Sequence, residues 1–236
     1  MNNSRLTQTL KYQLSYFGWS SLWVYGISVV VIVALGSVIT LTVDGSSTSF
    51  GGLGGVAFLH LFILGCGIRS DLKLFLQHGI GRRTTFYNSL FGSFICAVML
   101  GLFCVIFDVI AGRWLNTSDY VYITGVSGFF TGWVVYICSF FFAWQLGALI
   151  SLIYYRLNGL QKVIFSVLGV AALIVMFTGI VRYIVGITDE FGDGMIQSFI
   201  EGSVEIATYS ALGLLVLAMI ATVGNYFLLR RAPIKE

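Results

Sequence analysis

Six long, nearly uninterrupted apolar runs limit what this chain can fold into. A helix needs about 20 apolar residues to cross a hydrocarbon core about 30 Å thick. Strands of a membrane β-barrel would instead alternate polar and apolar residues. Because the runs are continuous, the sequence predicts an all-α membrane protein with six transmembrane helices. The predicted spans are residues 22–43, 52–68, 87–111, 122–154, 163–188 and 208–229.

Composition supports a membrane location. Charged residues make up 10% of the chain, whereas soluble domains carry about 25%. The cysteines lie inside the apolar runs and never at C-x-x-C spacing, a pattern typical of small buried side chains. It indicates neither a disulfide framework nor a metal site. These cysteines are Cys66, Cys96, Cys104 and Cys138.

The basic residues predict the orientation of the spans. Cytoplasmic loops carry an excess of Lys and Arg, and nearly all the basic residues here fall on one side of the six-span layout. Both termini are therefore expected in the cytoplasm, and the net charge of +3 indicates topology rather than nucleic-acid binding. Arg113 and Arg182 are the exceptions. The cytoplasmic set is Arg5, Lys11, Arg69, Lys73, Arg82, Arg83, Arg156, Lys162, Arg230, Arg231 and Lys235.

Two segments outside the spans have helical periodicity of their own. Residues 4–18 place Leu6, Leu10 and Leu14 on one helical face, which predicts an amphipathic helix on the inner membrane surface. Residues 189–207 keep a similar apolar stripe beside acidic residues. They are expected to form short re-entrant helices on the outer side, packed against protein.

The stretch LQHGIGRRTTFYNSL, residues 76–90, is a polar and basic break between two spans. With its lead-in it predicts a short helix over 71–78 that Ser70 caps and Gly79 ends. Thr84 or Thr85 is then expected to cap the helix that follows. In the short helix, Leu72, Phe75 and Leu76 form an apolar patch at i, i+3, i+4 spacing.

Few residues in the spans could carry chemistry. The sequence has no H-E-x-x-H, G-x-S-x-G or P-loop motif, so it offers no catalytic set and no nucleotide site of its own. An ionisable residue inside a membrane is a functional candidate, which makes His60, Asp108 and Arg182 candidates for a pathway or gating role. The alternatives are a neutral His60 bonded to a neighbouring helix, and Asp108 and Arg182 that pair or reach the interface.

The GGLGG stretch at residues 51–55 lacks the strand and helix context of a nucleotide site. Gly51 and Gly55 stand at G-x-x-x-G spacing, which lets membrane helices approach closely. The sequence therefore predicts a close helix contact at these two glycines.

This layout resembles the permease subunit of ABC-2-type ATP-binding-cassette exporters. Members of that family have six spans with both ends inside, an amphipathic helix before the first span, and re-entrant helices between the fifth and sixth. A short coupling helix lies between their second and third spans. HGIGRRTTFYNSL and the ending NYFLLRRAPIKE look like the corresponding stretches of short Gram-positive members. The resemblance implies the fold of a type V exporter, in a bacterial plasma membrane.

The resemblance also implies partners. A separate ABC ATPase subunit, with its own ATP and Mg²⁺, would hydrolyse ATP, so this chain would not be an enzyme by itself. A second permease copy or a related permease would complete the pathway within the membrane lipids. The substrate would be a lipid, a peptide or an amphipathic drug. The expected ATPase-coupling residues are Leu72, Phe75, Leu76, His78, Arg82 and Arg83.

Other functional classes fit the sequence as well. One alternative is the six-helix small-molecule-binding membrane component of a vitamin-type importer, which would need a polar pocket near the outer face. Another is a membrane immunity or regulatory protein that acts by binding alone. A copurifying vitamin would favour the first, and the absence of an ATPase partner would favour the second.

Overall fold

The computed structural model describes residues 3–42, 53–115, 126–167 and 193–230, and these residues form helices joined by short turns. We number the helices in chain order. They are α1 (Asn3–Thr42), α2 (Leu53–Cys66), α3 (Ile68–Gln77), α4 (Arg82–Leu115), α5 (Val126–Arg156), α6 (159–167, up to the end of the described stretch) and α7 (Asp193–Arg230). The prediction of an all-α chain is confirmed for the described part.

Five helical stretches in the described part are long and apolar enough to cross a membrane. The chain is therefore a multi-pass membrane protein by the length and composition of its helices. Of the predicted fifth span, residues 168–188 lie outside the described residues. The five stretches are Thr7–Ala34, Leu53–Gln77, Arg82–Ile110, Gly128–Arg156 and Ala211–Arg230.

Helix α5 is the centre of the bundle, because it packs against α2, α4 and α7. Helix α1 lies against α4 and α2. One buried cluster joins α1, α2, α4 and α5 and includes Leu61, Leu100 and Phe140. A second cluster, nearer the basic end of the helices, joins α3, α4, α5 and α7 through Leu72, Phe86 and other side chains.

Reciprocal glycines bring α2 and α5 into backbone contact. A Cβ at Gly65 would overlap the carbonyl oxygen of Trp144, and a Cβ at Gly147 would overlap the carbonyl oxygen of Phe62. Small residues at a crossing let membrane helices approach this closely. Each helix therefore uses its own glycine to admit the other helix's backbone.

The predicted close contact at Gly55 is not found in the described part of the chain, where a Cβ on Gly55 would meet nothing within 4 Å. The contact belongs to Gly54, where a Cβ would lie 2.6 Å from the ring of Tyr136 on α5. The second glycine of the predicted pair, Gly51, lies outside the described residues.

Two predicted boundaries do not appear as breaks in the helices. Helix α1 runs without interruption through the predicted interfacial segment 4–18 and on through residue 42. Helix α7 likewise covers residues 193–230, including most of the predicted re-entrant segment 189–207 and all of the predicted last span. The position of either segment relative to the membrane stays a prediction.

Candidate functional site

A short break at Gly67 separates α2 from α3, and hydrogen bonds hold the chain in place there. The backbone N–H of Gly67 donates to the Leu64 carbonyl at 3.0 Å. Ser151 Oγ on α5 donates to the Cys66 carbonyl at 2.7 Å, which satisfies an acceptor at the end of α2. Ser70 was expected to cap α3, but the helix starts two residues earlier. Its hydroxyl instead donates back to the Gly67 carbonyl at 2.7 Å.

Gly79 ends α3, as the sequence predicted. It has a φ of +72°, the left-handed region that glycine enters without steric cost. Its N–H donates to the Leu76 carbonyl at 3.0 Å, and the N–H of Ile80 donates to the Phe75 carbonyl at 2.9 Å. This pair of bonds is the Schellman motif, which satisfies carbonyls at the helix end and fixes the direction of the exit.

We expect Gly79→Ala to lower the free energy of unfolding by about 1–2 kcal/mol, because a Cβ is strained at positive φ. Gly81→Ala is the matched control. A Cβ there would meet none of the described residues within 4 Å, and Gly81 is not among their positive-φ glycines. The measurement is the unfolding free energy of each variant by steric trapping in bicelles. Equal stability of the two variants would contradict the role given to Gly79.

Helix α4 follows at Arg82, earlier than the predicted Thr cap. Thr85 lies in the first turn, where its N–H and Oγ1 both donate to the Gly81 carbonyl, at 3.0 and 3.3 Å. Neither Thr84 nor Thr85 therefore precedes the helix as a cap. Only four residues, 78–81, separate α3 from α4, so the two helices form a tight elbow.

The apolar face of α3 packs against the chain itself. Leu72 is 7% exposed and Phe75 is 4% exposed, and the half-buried Leu76 packs against the cluster that holds Leu72. Phe75 meets the ring of Tyr12 on α1 edge to face, with centroids 6.4 Å apart. The expected role of Leu72, Phe75 and Leu76 in coupling to an ATPase stays a prediction. The bundle itself covers Leu72 and Phe75, so the face of α3 that a partner can reach is a different one.

The outward face of α3 is polar and basic. Its exposed residues are Arg69, Ser70, Lys73 and Gln77, followed by His78 at the C-cap. The His78 ring donates from Nδ1 to the Leu74 carbonyl at 2.8 Å. A partner that approaches α3 would therefore meet basic and polar groups.

Arginines tie the last turn of α7 to the neighbouring helices. Arg82 Nη1 on α4 donates to the Arg230 carbonyl at 3.1 Å. Arg156 Nη2 on α5 donates to the Leu228 carbonyl at 2.7 Å. Cations are favourable at a helix C-terminus, where unsatisfied carbonyls carry partial negative charge. Arg82 therefore has a bonded position inside the elbow, while Arg83 beside it is exposed.

His60 lies on α2 and is buried against α1. It is 6% exposed, and its Nε2 shares a hydrogen bond of 3.3 Å with Ser20 Oγ. The Tyr25 ring stacks on it with centroids 5.4 Å apart. This environment is the one expected for an imidazole bonded to a neighbouring helix. The Ser21 and Tyr25 hydroxyls are buried and have no hydrogen-bond partner within the described part.

Asp108 pairs across helices. Tyr136 on α5 donates its hydroxyl to Asp108 Oδ2 on α4 at 2.6 Å, one of the two possibilities that the sequence left open. Gly54 makes room for this Tyr136 ring. Asp108 therefore links α4 to α5 near the first turn of α2. Arg182, the third candidate, lies outside the described residues.

Sequence reasoning missed a set of buried amides. Gln145 on α5 donates from Nε2 to Ser93 Oγ on α4 at 3.1 Å. It accepts two bonds from Asn225 Nδ2 on α7, at 2.9 Å on its carbonyl and 3.0 Å on its Oε1. Nearer α1, Asn88 donates to Gln13 Oε1 at 2.8 Å. The signal for most of these residues in the sequence is a single amide within an otherwise apolar run.

Comparisons with family models, with curated protein sequences and with solved structures give no match.

Proposed function

We propose that this chain is the transmembrane permease subunit of an ATP-driven ABC exporter of the ABC-2 type. It would form half of a translocation pathway and couple to a separate ATPase subunit that binds ATP and Mg²⁺. A second copy, or a related permease, would complete the pathway. The proposed substrate is an amphipathic molecule such as a lipid, a peptide or a drug.

The observation that carries this proposal is how α3 is attached to the bundle. Its inward side chains, among them Ile68 and Leu72, share a buried cluster with Phe86 of α4, Leu152 of α5 and Leu229 of α7. Close-packed protein interiors transmit displacement rather than absorb it. A force on α3 would therefore reach three long helices together, which is what a coupling helix requires.

The outward face of α3 supports the same role. Arg69 and Lys73 are exposed, and Arg69 also lies 4.5 Å from the ring centroid of Tyr155 on α5. Charges at a protein interface favour partners of opposite charge and speed their association. The proposed ATPase would present acidic groups to this face, while the buried Leu72 and Phe75 hold α3 in place.

The test is affinity purification of the chain from its native membrane, followed by mass spectrometry and an ATPase assay. We expect a P-loop ATPase to copurify. Lys73→Glu places a negative charge against an acidic partner, and should weaken the complex about tenfold, since like charges across an interface are costly. The buried face of α3 is untouched by this change.

Lys11→Glu is the matched control, because Lys11 is also exposed but lies on α1. It should leave ATPase binding within about twofold of the parent. Copurification of no ATPase, or equal binding by the Lys73 variant and the parent, would overturn the proposal.

A further inference from the structure

A basic groove lies between the start of α4 and the end of α7. Its volume is about 370 Å³. Three arginines line it, Arg82 and Arg83 from α4 and Arg230 from α7, and none of its described lining residues is acidic. Arg83 and Arg230 are exposed, whereas the bond of Arg82 to the Arg230 carbonyl fixes its position. The groove therefore concentrates positive charge and holds one of its guanidinium groups in place.

The floor of the groove is apolar and aromatic. Phe86 of α4 and Tyr226 of α7 meet edge to face with ring centroids 5.2 Å apart, and Leu229 completes the floor. Phe86 and Leu229 are buried. A ligand that fills this groove would contact hydrocarbon and aromatic carbon below and guanidinium groups above, so it should be both anionic and amphipathic.

The groove adjoins an exposed apolar surface of α7. Residues Val223, Tyr226 and Arg230 stand at i, i+3, i+7 on α7, which places them along one face. Val223 is 56% exposed and the neighbouring Phe227 is 57% exposed, and both lie in the apolar stretch Ala211–Arg230. An acyl chain could therefore run along α7 from a headgroup at Arg230.

We propose that this groove binds the phosphate headgroup of an anionic phospholipid from the leaflet at the basic end of the helices. Arginine guanidinium groups match phosphate oxygens in geometry and charge, and basic pockets between membrane helices hold anionic headgroups. The apolar floor and the adjoining α7 surface favour a lipid over a soluble phosphate. The inference is independent of the proposed exporter function, because it needs neither an ATPase nor a transported substrate.

The test is a lipid titration of the purified full chain in detergent, followed by native mass spectrometry. We expect phosphatidylglycerol to bind at least about tenfold more tightly than zwitterionic phosphatidylcholine. Arg83→Gln and Arg230→Gln should each weaken phosphatidylglycerol about fivefold, and the double variant about 25-fold. Both side chains are exposed, so their replacement leaves the packed interior intact.

Lys73→Gln is the matched control, since it removes one exposed positive charge from α3 outside the groove, and it should change binding less than twofold. Equal binding of the two lipids, or parent-like binding by the double variant, would overturn the proposal. Displacement of phosphatidylglycerol by equimolar inorganic phosphate would assign the groove to a soluble anion instead. Loss of ATPase association with unchanged lipid binding in the double variant would assign it to the partner subunit.

Discussion

Gly147→Ala should lower the free energy of unfolding by about 3 kcal/mol, at the upper end of the usual cost of overpacking. The new Cβ would overlap the Phe62 carbonyl oxygen and lie 3.1 Å from its carbon and 3.2 Å from the Cys66 nitrogen. All of these are backbone atoms, so no side chain can rotate away. The helices α2 and α5 must separate, which also lengthens the bond from Ser151 to the Cys66 carbonyl.

A loss of stability here would be diagnostic. In a helix that has room for the new Cβ, Gly→Ala instead raises the free energy of unfolding by up to about 1 kcal/mol. Gly213→Ala on α7 is the matched control, since a Cβ there would meet no described residue within 4 Å. Gly65→Ala should behave like Gly147→Ala, because its Cβ would overlap the Trp144 carbonyl. Steric trapping in bicelles measures all three. A Gly147 variant as stable as the Gly213 variant would show that the two helices do not cross so closely.

Local rules predicted the elbow well. The short helix expected over 71–78 is found at Ile68–Gln77, and its end at Gly79 follows from a residue that accepts positive φ. The start was less accurate because a Ser can bond backward from within the first turn as well as cap. Signals that act over four or five residues are readable from the sequence, since the atoms involved are neighbours in the chain.

The sequence did not predict which residues cover the apolar face of α3. Periodicity shows that Leu72, Phe75 and Leu76 share a side of α3, but it does not show whether that side meets another protein or the same chain. The covering residues, such as Phe86, Leu152 and Leu229, are distant in sequence. The backbone contact at Gly65 and Gly147 was also not predicted. Each is an isolated glycine, and whether it allows a close contact depends on which helix faces it.

Buried amides provide the second prediction with a large effect. Gln145 links α4, α5 and α7, and Asn225 is 1% exposed, so neither amide can exchange a lost partner for water. Unmet polar groups of this kind cost about 1–3 kcal/mol in proteins, although hydrogen bonds between membrane helices average about 0.6 kcal/mol and reach about 1.7. We therefore expect Gln145→Ala and Asn225→Ala each to lower the free energy of unfolding by about 2–3 kcal/mol, packing losses included.

A double-mutant cycle separates the hydrogen bond from the packing. Asn225 Nδ2 bonds both the Gln145 side chain and the Gln145 carbonyl, and the carbonyl survives in Gln145→Ala. The coupling energy should therefore be only part of either single loss, about 0.5–1.5 kcal/mol. Asn88→Ala paired with Asn225→Ala is the control and should show no coupling, because Asn88 bonds Gln13 and residues that share no partner usually act additively. Zero coupling between Gln145 and Asn225 would mean that the bond between their side chains contributes nothing specific to the pairing of α5 and α7.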